Sequence, residues 1–312
     1  MVRIGFIGCH EISWHCLKKI CDLSQKHNDE IVLVFNLNSE EASKHSASVK
    51  FDSLQMEYGF DLHYVKNVAE VNNVELLKMA KIDVLFIIGW HRIVPQNVLD
   101  IASIRIGIHS SVLPKDRGSS PINWQIIRGE NKGGVTLFHL TVGVDSGPII
   151  DTSRFLIDFA DNVKDIYTKA TIASLDLLEK NWLDIHNKTV NSIPQNEELA
   201  TFNERRKPQD GLINWQQSST ICYNWIRSLT APYPGAFTFW KHKKILIWTA
   251  KISNFEGSSP GRIIDITNNI TVSTNSGCIE ILTLQIESEP ICDAKLFIKS
   301  YGLKIGEIFM NS

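Results

Sequence analysis

The sequence lacks the patterns that mark the commonest metal, disulfide and nucleotide sites. None of its six cysteines forms a C-x-x-C pair and no group of histidines lies beside them, so we expect neither a metal ion nor a disulfide framework. The first apolar segment ends in Gly5–His10, which does not complete the G-x-G-x-x-G fingerprint, and no G-x-x-x-x-G-K-S/T loop is present. These absences exclude the two phosphate-loop motifs by which dinucleotides and nucleoside triphosphates are usually recognised.

The sequence also lacks a strong charge imbalance and long apolar runs. The formal net charge is −2 over 312 residues, so the overall balance favours neither a nucleic acid nor a membrane surface as partner. No apolar run approaches the ~20 residues that span a bilayer, and Met1–Gly8 lacks the charged-then-apolar layout of a signal peptide. Because the cysteines are also scattered, we expect a cytoplasmic protein, and its length accommodates two domains.

The first half of the chain alternates short apolar runs with amphipathic stretches. The alternation predicts a parallel sheet with helices on both faces, and continuously apolar strands agree with burial on both faces. This is the pattern of an α/β, Rossmann-like domain with a mostly parallel sheet. The predicted strands are Arg3–Gly8, Ile31–Leu37, Val84–Ile88, Arg105–Ser110 and Gly134–Leu140, and the predicted helices are Ile12–Leu23, Val94–Ile101 and Asn162–Ile185.

The pattern changes near residue 190. Asn191–Asp210 is polar and carries two prolines, which predicts a linker. A predicted helix at Ser218–Ser228 is followed by short strand-like runs, which suggest a small β barrel or sandwich. We therefore divide the chain into domains at residues 1–200 and 201–312. The strand-like runs are Ala236–Trp240, Lys244–Ile252, Gly261–Ile266, Asn269–Thr274 and Gly277–Glu287.

Two polar side chains lie where predicted strands end. His109 comes at the end of one apolar run, and Asp145 comes at the end of another, before Ser146–Pro148. In an open parallel sheet, ligands bind beyond the carboxyl ends of the strands. An imidazole has an unperturbed pKa of about 6.5, and a neighbouring carboxylate fixes its tautomer and stabilises its charged form. From spacing alone, a structural histidine and a turn-forming aspartate are the more frequent explanation.

The stretch around these two residues resembles the folate-dependent formyltransferase signature. His109–Gly118, which reads H-S-S-V-L-P-K-D-R-G, is followed by Pro121–Trp124, P-I-N-W. Val144–Gly147, V-D-S-G, is similar to the second half of that signature. The joined pattern of the histidine, the glycine and the later aspartate is the specific part of the resemblance.

Flanking segments extend the resemblance in order over roughly residues 1 to 250. Gly89–Pro95 resembles the family's folate loop, and Arg206–Trp215 with Ile226–Phe237 resembles the opening of its C-terminal domain. The resemblance implies that residues 1–200 form the catalytic domain. It also implies that residues 201–312 form a smaller OB-like β domain, as in methionyl-tRNA formyltransferase and its sugar-nucleotide relatives.

The resemblance implies transfer of a formyl group from 10-formyltetrahydrofolate to a primary amine. His109 is then the general acid/base, and Asp145 orients it and supports its charge. Ordinary core packing remains the alternative role for each apolar residue. The residues implied to hold the folate are Ile87, Ile88, Gly89, Trp90, Leu113, Val142 and Val144. The residues implied on the acceptor side are Ser111, Arg117, Gly118, Trp124 and His139.

The chain departs from the family pattern at Gly107. The family usually carries an asparagine two residues before the histidine, where its amide donates to the developing oxyanion. Losing one such donor costs about 2.7–4 kcal/mol of transition-state stabilisation. We place Gly107 in the catalytic set as the position that needs a substitute, either a water or a side chain among Asn123, Ser111 and His139. A non-catalytic folate-binding protein is the alternative that Gly107 motivates.

Relatives that share this signature differ in the amine that they formylate. From Arg205 to Ser312 the chain has twelve Lys and Arg against eight Asp and Glu, an excess of four. A tRNA-binding enzyme needs a dense basic face, because phosphate contacts supply most of its affinity. Tyr233–Phe237, preceded by Arg227, resembles the sugar-nucleotide branch. Methionyl-tRNA formyltransferase is the alternative enzyme.

The sequence thus predicts a cytoplasmic enzyme of cell-surface polysaccharide biosynthesis that formylates a UDP- or dTDP-linked amino sugar. Its predicted partners are the folate and the nucleotide sugar, with no metal, no membrane and no nucleic acid. Members of the family often dimerise through C-terminal elements, so the resemblance also implies a homodimer.

Overall fold

The computed structural model describes residues 1–45 and 47–310, which form two compact units. The first unit comprises Met1–Pro121, Lys132–Leu156 and Tyr167–Glu204. The second comprises Ile122–Asn131, Ile157–Ile166 and the described chain from Arg205 onward. The division at residue 200 stays a prediction.

The first unit is built on a seven-stranded sheet with the order β3-β2-β1-β4-β5-β7-β8. Pairing is parallel from β3 to β5, while β5 pairs with β7 and β7 with β8 in antiparallel fashion. The strands described in this unit are β1 (Arg3–Ile7), β2 (Glu30–Leu37), β3 (Leu62–Val65), β4 (Val84–Ile88), β5 (Ile104–His109), β6 (Arg117–Gly118), β7 (Lys132–His139), β8 (Ile149–Leu156) and β9 (Phe202–Asn203). The short strands β6 and β9 pair separately and in parallel.

The apolar runs of the sequence become the central strands of this sheet. Every residue of β4 is buried, as are Ile4–Ile7 of β1, which is the pattern expected of strands buried on both faces. The mostly parallel sheet is therefore confirmed. The pairing departs from parallel at Gly134–Leu140, because β5 pairs with β7 in antiparallel fashion and β7 and β8 form an antiparallel hairpin whose connection carries Asp145.

The described helices belong to both units. In α1, buried residues recur at helical spacing and the helix ends at Asn28, whose left-handed φ of 58° terminates it. The helices are α1 (Glu11–His27), α2 (Ser39–Ala42), α3 (Asp52–Tyr58), α4 (Val71–Met79), α5 (Gln96–Leu99), α6 (Pro121–Ile127), α7 (Val163–Asn187), α8 (Ser219–Leu229) and α9 (Ala294–Tyr301).

The second unit contains an antiparallel curled sheet with the order β10-β11-β14-β13-β12, and β15 pairs with β14. Its core contains buried aromatic and aliphatic side chains such as Trp240, Ile281 and Phe297. An α/β domain followed by a smaller OB-like β domain is thus confirmed. The strands are β10 (Ala236–Trp240), β11 (Lys243–Ser253), β12 (Ile263–Asp265), β13 (Ile270–Ser273), β14 (Cys278–Ile286) and β15 (Cys292–Asp293).

The segment predicted as a linker is largely part of the first unit. Ile193 forms a backbone bridge with Ile149, Glu197–Leu199 forms a 3-10 turn, and β9 pairs with β6. Polar composition misled the prediction here, because these polar side chains form hydrogen bonds to other parts of the unit rather than facing only solvent.

Within the part of the chain that the structure describes, no helix combines the length and the hydropathy that crossing a membrane requires.

Candidate active site

His109, the last residue of β5, has an imidazole held by the loop that follows it. The side chain is buried, and Nε2 lies 2.6 Å from the backbone oxygen of Asp116. A carbonyl oxygen only accepts hydrogen bonds, so Nε2 must carry the proton. In the neutral ring, Nδ1 then bears the lone pair, and this nitrogen is the one that can take up a proton.

The carboxylate of Asp145 faces that nitrogen. Asp145 Oδ2 lies 3.5 Å from His109 Nδ1 and accepts a hydrogen bond of 2.9 Å from the backbone nitrogen of Gly118. The Asp145 side chain keeps about a quarter of its surface exposed, at 24%. A proton taken up by Nδ1 would therefore lie next to the negative charge of Asp145.

The backbone of Asp145 is held in a left-handed conformation. Its φ is 48°, a region that aspartate tolerates better than most residues. Gln195 Nε2 donates to the backbone oxygens of Asp145 and Gly147, at 2.8 and 2.7 Å. These two bonds fix the turn that directs the carboxylate toward His109.

Gln195 is in turn held by the buried side chain of Arg117. Arg117 is 1% exposed as a residue, and its Nε and Nη2 donate to Gln195 Oε1 at 3.1 and 2.8 Å. Its two terminal nitrogens donate to the carboxylate of Glu197 at 2.8 Å each. The same hydrogen bonds raise the pKa of Arg117 and lower the pKa of Glu197. The sequence assigned Arg117 to the acceptor, which stays a prediction, and gave no sign of Gln195 or Glu197. In the structure, the Arg117 side chain holds Gln195, which in turn bonds to the backbone of Asp145.

Gly107 lies on the same face of β5 as His109, two residues earlier. A Cβ at this position would lie 2.7 Å from Leu140 Cδ2 and 3.1 Å from Phe138 Cε1. Gly107 is paired with Ile87 on β4, and Leu140 packs in the same apolar cluster as Ile87 and Trp90. Leu140 therefore fills the space that a side chain at Gly107 would enter.

The other residues that the resemblance assigns to folate binding differ in their solvent exposure. Ile88 and Leu113 are buried, and Gly89 has a left-handed φ of 62° with Ser13 Oγ occupying the place of a Cβ. Val142 and Val144 lie in the loop between β7 and β8 and are 53% and 41% exposed. Of these residues, the two valines present large apolar surfaces to solvent.

The residues implied for the acceptor are dispersed. Ser111 is fully buried, and its hydroxyl donates to the backbone oxygen of Lys115 at 2.6 Å. His139 is half-buried, and burial lowers its pKa. Trp124 belongs to the second unit, where the Arg206 guanidinium lies 5.1 Å from the centre of its ring. The structure thus brings His109, Asp145 and Gly118 together. The roles of all the site residues stay predictions.

Both parts of the chain match models of one protein family. Residues 6–179 match the model described as formyl transferase, and residues 205–302 match the model described as formyl transferase, C-terminal domain.

Relatives with curated descriptions include two kinds of protein. The bifunctional polymyxin resistance protein ArnA of Wigglesworthia glossinidia brevipalpis is 34% identical over 285 residues, which are 91% of this chain and 43% of that protein. This chain therefore spans less than half the length of that relative. The methionyl-tRNA formyltransferase of Thermodesulfovibrio yellowstonii is 29% identical over 308 residues, 97% of each chain.

A solved structure shares the fold over most of both chains. It is the N-formyltransferase from Helicobacter canadensis in complex with folinic acid and dTDP-3-aminofucose. It aligns over 90% of this chain and 99% of that chain with a TM-score of 0.69 and 21% identity.

Proposed function

This chain belongs to the formyl transferase family, and we propose that it transfers a formyl group from 10-formyltetrahydrofolate to the primary amine of a nucleotide-linked amino sugar. The observation that carries the proposal is the His109 imidazole, held between the Asp116 carbonyl and the Asp145 carboxylate. The match to the formyl transferase models supports the formyl chemistry, and the acceptor rests on the further arguments below.

His109 is the group that moves protons in this reaction. As the amine nitrogen bonds to the formyl carbon, Nδ1 takes the proton that the amine loses. Asp145, 3.5 Å away, stabilises the imidazolium that results. When the bond between the formyl carbon and N10 of the folate breaks, Nδ1 returns the proton to N10. General acid/base catalysis of this kind contributes about 10²–10⁴-fold to a rate.

Residues around the end of β4 suit a bound pterin. The indole Nε1 of Trp90 is buried and has no hydrogen-bond partner among the described residues, so a ligand acceptor can satisfy it. Val142 and Val144 offer exposed apolar surface that a planar ring would cover. We assign the folate to Ile87–Trp90, Leu113 and these valines.

A nucleotide sugar is the acceptor that the chain's charge favours. The basic excess of four over Arg205–Ser312 is small for a tRNA-binding surface. The Helicobacter canadensis relative was solved with dTDP-3-aminofucose, which supports a nucleotide-linked amine here. Methionyl-tRNA formylation is the second candidate, because the Thermodesulfovibrio yellowstonii enzyme matches 97% of each chain.

Gly107 favours a third candidate, a folate-binding protein without turnover. Leu140 occupies the space beside Gly107, so this position supplies no side-chain donor to an oxyanion. The presence of both His109 and Asp145 argues against a non-catalytic protein.

An acceptor screen tests the proposal. The full chain is incubated with 10-formyltetrahydrofolate and each of a panel of UDP- and dTDP-amino sugars, beside initiator methionyl-tRNA. Formylation of one sugar nucleotide with tRNA inert is the expected result. Formylation of tRNA would show that methionyl-tRNA is the acceptor and not a nucleotide sugar. Folate binding without turnover on any acceptor would favour a non-catalytic folate-binding protein.

Further expectations accompany this proposal. We expect a cytoplasmic enzyme that serves cell-surface polysaccharide biosynthesis, and a homodimer. We also keep residues 1–200 as the catalytic domain and residues 201–312 as the OB-like domain.

A further inference from the structure

Three side chains from two loops converge at the carboxyl end of the parallel sheet. Glu41 lies in α2, which follows β2, and His45 comes four residues later. His91 lies in the loop after β4. One nitrogen or oxygen atom from each of these side chains lies within 4.8 Å of the others. Since β1 lies between β2 and β4, the three groups sit near the point where strand order reverses, where open sheets commonly bind ligands.

The His91 ring has two buried nitrogens without a partner. Neither Nδ1 nor Nε2 makes a hydrogen bond to any described residue, and both are shielded from solvent. The ring packs against His45 with the centroids 4.2 Å apart, and against Trp90 at 4.9 Å. Buried polar atoms in native proteins nearly always have a partner, so this ring points to a ligand bound through nitrogen.

Glu41 supplies a negative charge beside the two imidazoles. Its side chain is only 5% exposed. Lys44 Nζ lies 2.7 Å from its Oε1, and Arg92 Nη2 lies 2.8 Å from its Oε2. The Lys44 side chain is more than half exposed, so its ammonium group can move into solvent and leave Oε1 while Arg92 remains on Oε2.

We propose that Glu41, His45 and His91 bind one zinc ion. Two imidazoles and a carboxylate, with a water in the fourth position, form a donor set that zinc takes in proteins. Zinc bonds of about 2.0–2.2 Å place ligand atoms about 3.3–3.6 Å apart. In the structure these atoms lie within 4.8 Å of one another, so zinc binding requires side-chain rotations that draw them closer and displace Lys44 from Glu41. Cysteine and histidine spacing predicts no metal, because these ligands come from separate loops.

The zinc ion would join the loop after β2 to the loop that carries Gly89 and Trp90. It would thereby restrict a loop to which we assign the pterin, so zinc should tighten folate binding. This consequence rests on the proposed function, whereas zinc binding itself does not.

A zinc titration tests the site without reference to activity. The tag-free full chain is stripped with EDTA and titrated with zinc chloride in competition with a chromophoric chelator. One zinc per chain is expected. His45→Ala and Glu41→Gln should each weaken zinc affinity at least about tenfold, since outer-shell changes alone cost 10- to 100-fold. Lys44→Ala should tighten zinc binding, because it removes the competing ammonium group.

His63→Ala is the matched control, since His63 also faces a carboxylate, with Nε2 2.9 Å from Asp61 Oδ2, in the same unit. It should bind zinc as the wild type does. Melting curves in EDTA show whether each variant folds, and zinc should raise the melting temperature of the wild type more than that of His45→Ala. Wild-type chain that takes up no stoichiometric zinc, or His45→Ala that binds it with wild-type affinity, would overturn the proposal.

Discussion

At the scale of single residues, one hydrogen bond determines which nitrogen of the His109 ring can take up a proton. Because Nε2 donates to the Asp116 carbonyl, the basic nitrogen of the neutral ring is Nδ1, which faces Asp145. The sequence predicted that these two residues meet. It could not predict the tautomer, because that depends on the backbone of a loop seven residues further along the chain.

Replacing His109 by alanine should abolish proton transfer while leaving the fold intact. We expect His109→Ala to lower kcat about 10²–10⁴-fold, the usual contribution of a general acid/base. Asp145→Asn should lower kcat as well, because the imidazolium loses its negative neighbour. His186→Ala removes a comparable His–Asp pair, in which Nδ1 lies 2.7 Å from Asp29 Oδ2, and should keep turnover. Near-normal kcat in His109→Ala, measured with folded protein, would refute the role given to it.

Gly107 offers a second test at this scale. Gly107→Asn alone forces Leu140 aside, since a Cβ would lie 2.7 Å from Leu140 Cδ2, and overpacking of this kind costs about 1–3 kcal/mol of stability. The double variant Gly107→Asn/Leu140→Ala gives the amide room to donate. We expect its kcat to exceed that of Leu140→Ala, by up to the 10²-fold or so that an oxyanion donor contributes. Equal kcat in the two would mean that position 107 does not face the reacting oxygen.

At the scale of elements, burial decided what the sequence could predict. The apolar run of β4 was identified with its exact bounds, because all five of its residues are buried. The strands β3 and β8 were missed, because they lie at the two edges of the sheet and are mostly half-exposed, without an apolar run. Edge strands carry mixed composition, which resembles that of a loop.

The polar segment after α7 was also misassigned from its composition. It reads as a linker, yet Gln195 and Glu197 hold Arg117, and Gln195 also holds the turn at Asp145. A linker and a segment that satisfies a buried guanidinium have the same polar composition. Only the fold, which brings residue 195 beside residues 117 and 145, distinguishes them.

Gln195→Ala tests this element. Without the Gln195 amide, the two hydrogen bonds to the backbone oxygens of Asp145 and Gly147 are lost, so the carboxylate should lose its alignment. We expect kcat to fall about 10- to 100-fold, in line with the cost of small misplacements at active sites, with KM for the acceptor little changed. Glu198→Ala, at an exposed neighbouring position, is the control and should keep wild-type kcat. A Gln195→Ala enzyme with unaltered kcat would leave Gln195 with a purely structural role.

At the scale of the whole molecule, the composition narrowed the possible classes of partner, and the family signature indicated formyl transfer. A net charge of −2 excluded little by itself, and the two-domain organisation followed from the change of pattern near residue 190.

The proposed acceptor leads to a prediction about salt dependence. A sugar nucleotide carries few charges, so KM for the acceptor should change only modestly between low and physiological salt. A tRNA acceptor would instead show a steep salt dependence, because many phosphate contacts release counterions.

The most direct measurement follows the formyl carbon itself. 10-Formyltetrahydrofolate labelled with carbon-13 in the formyl group is incubated with the chain and the amino-sugar nucleotide selected by the acceptor screen, and the label is followed by NMR. We predict that the label appears in an amide on the sugar, with one tetrahydrofolate released per amide, and that His109→Ala slows its appearance about 10²–10⁴-fold. Label found in free formate, or retained entirely on the folate in the presence of every acceptor tested, would contradict formyl transfer to an amine.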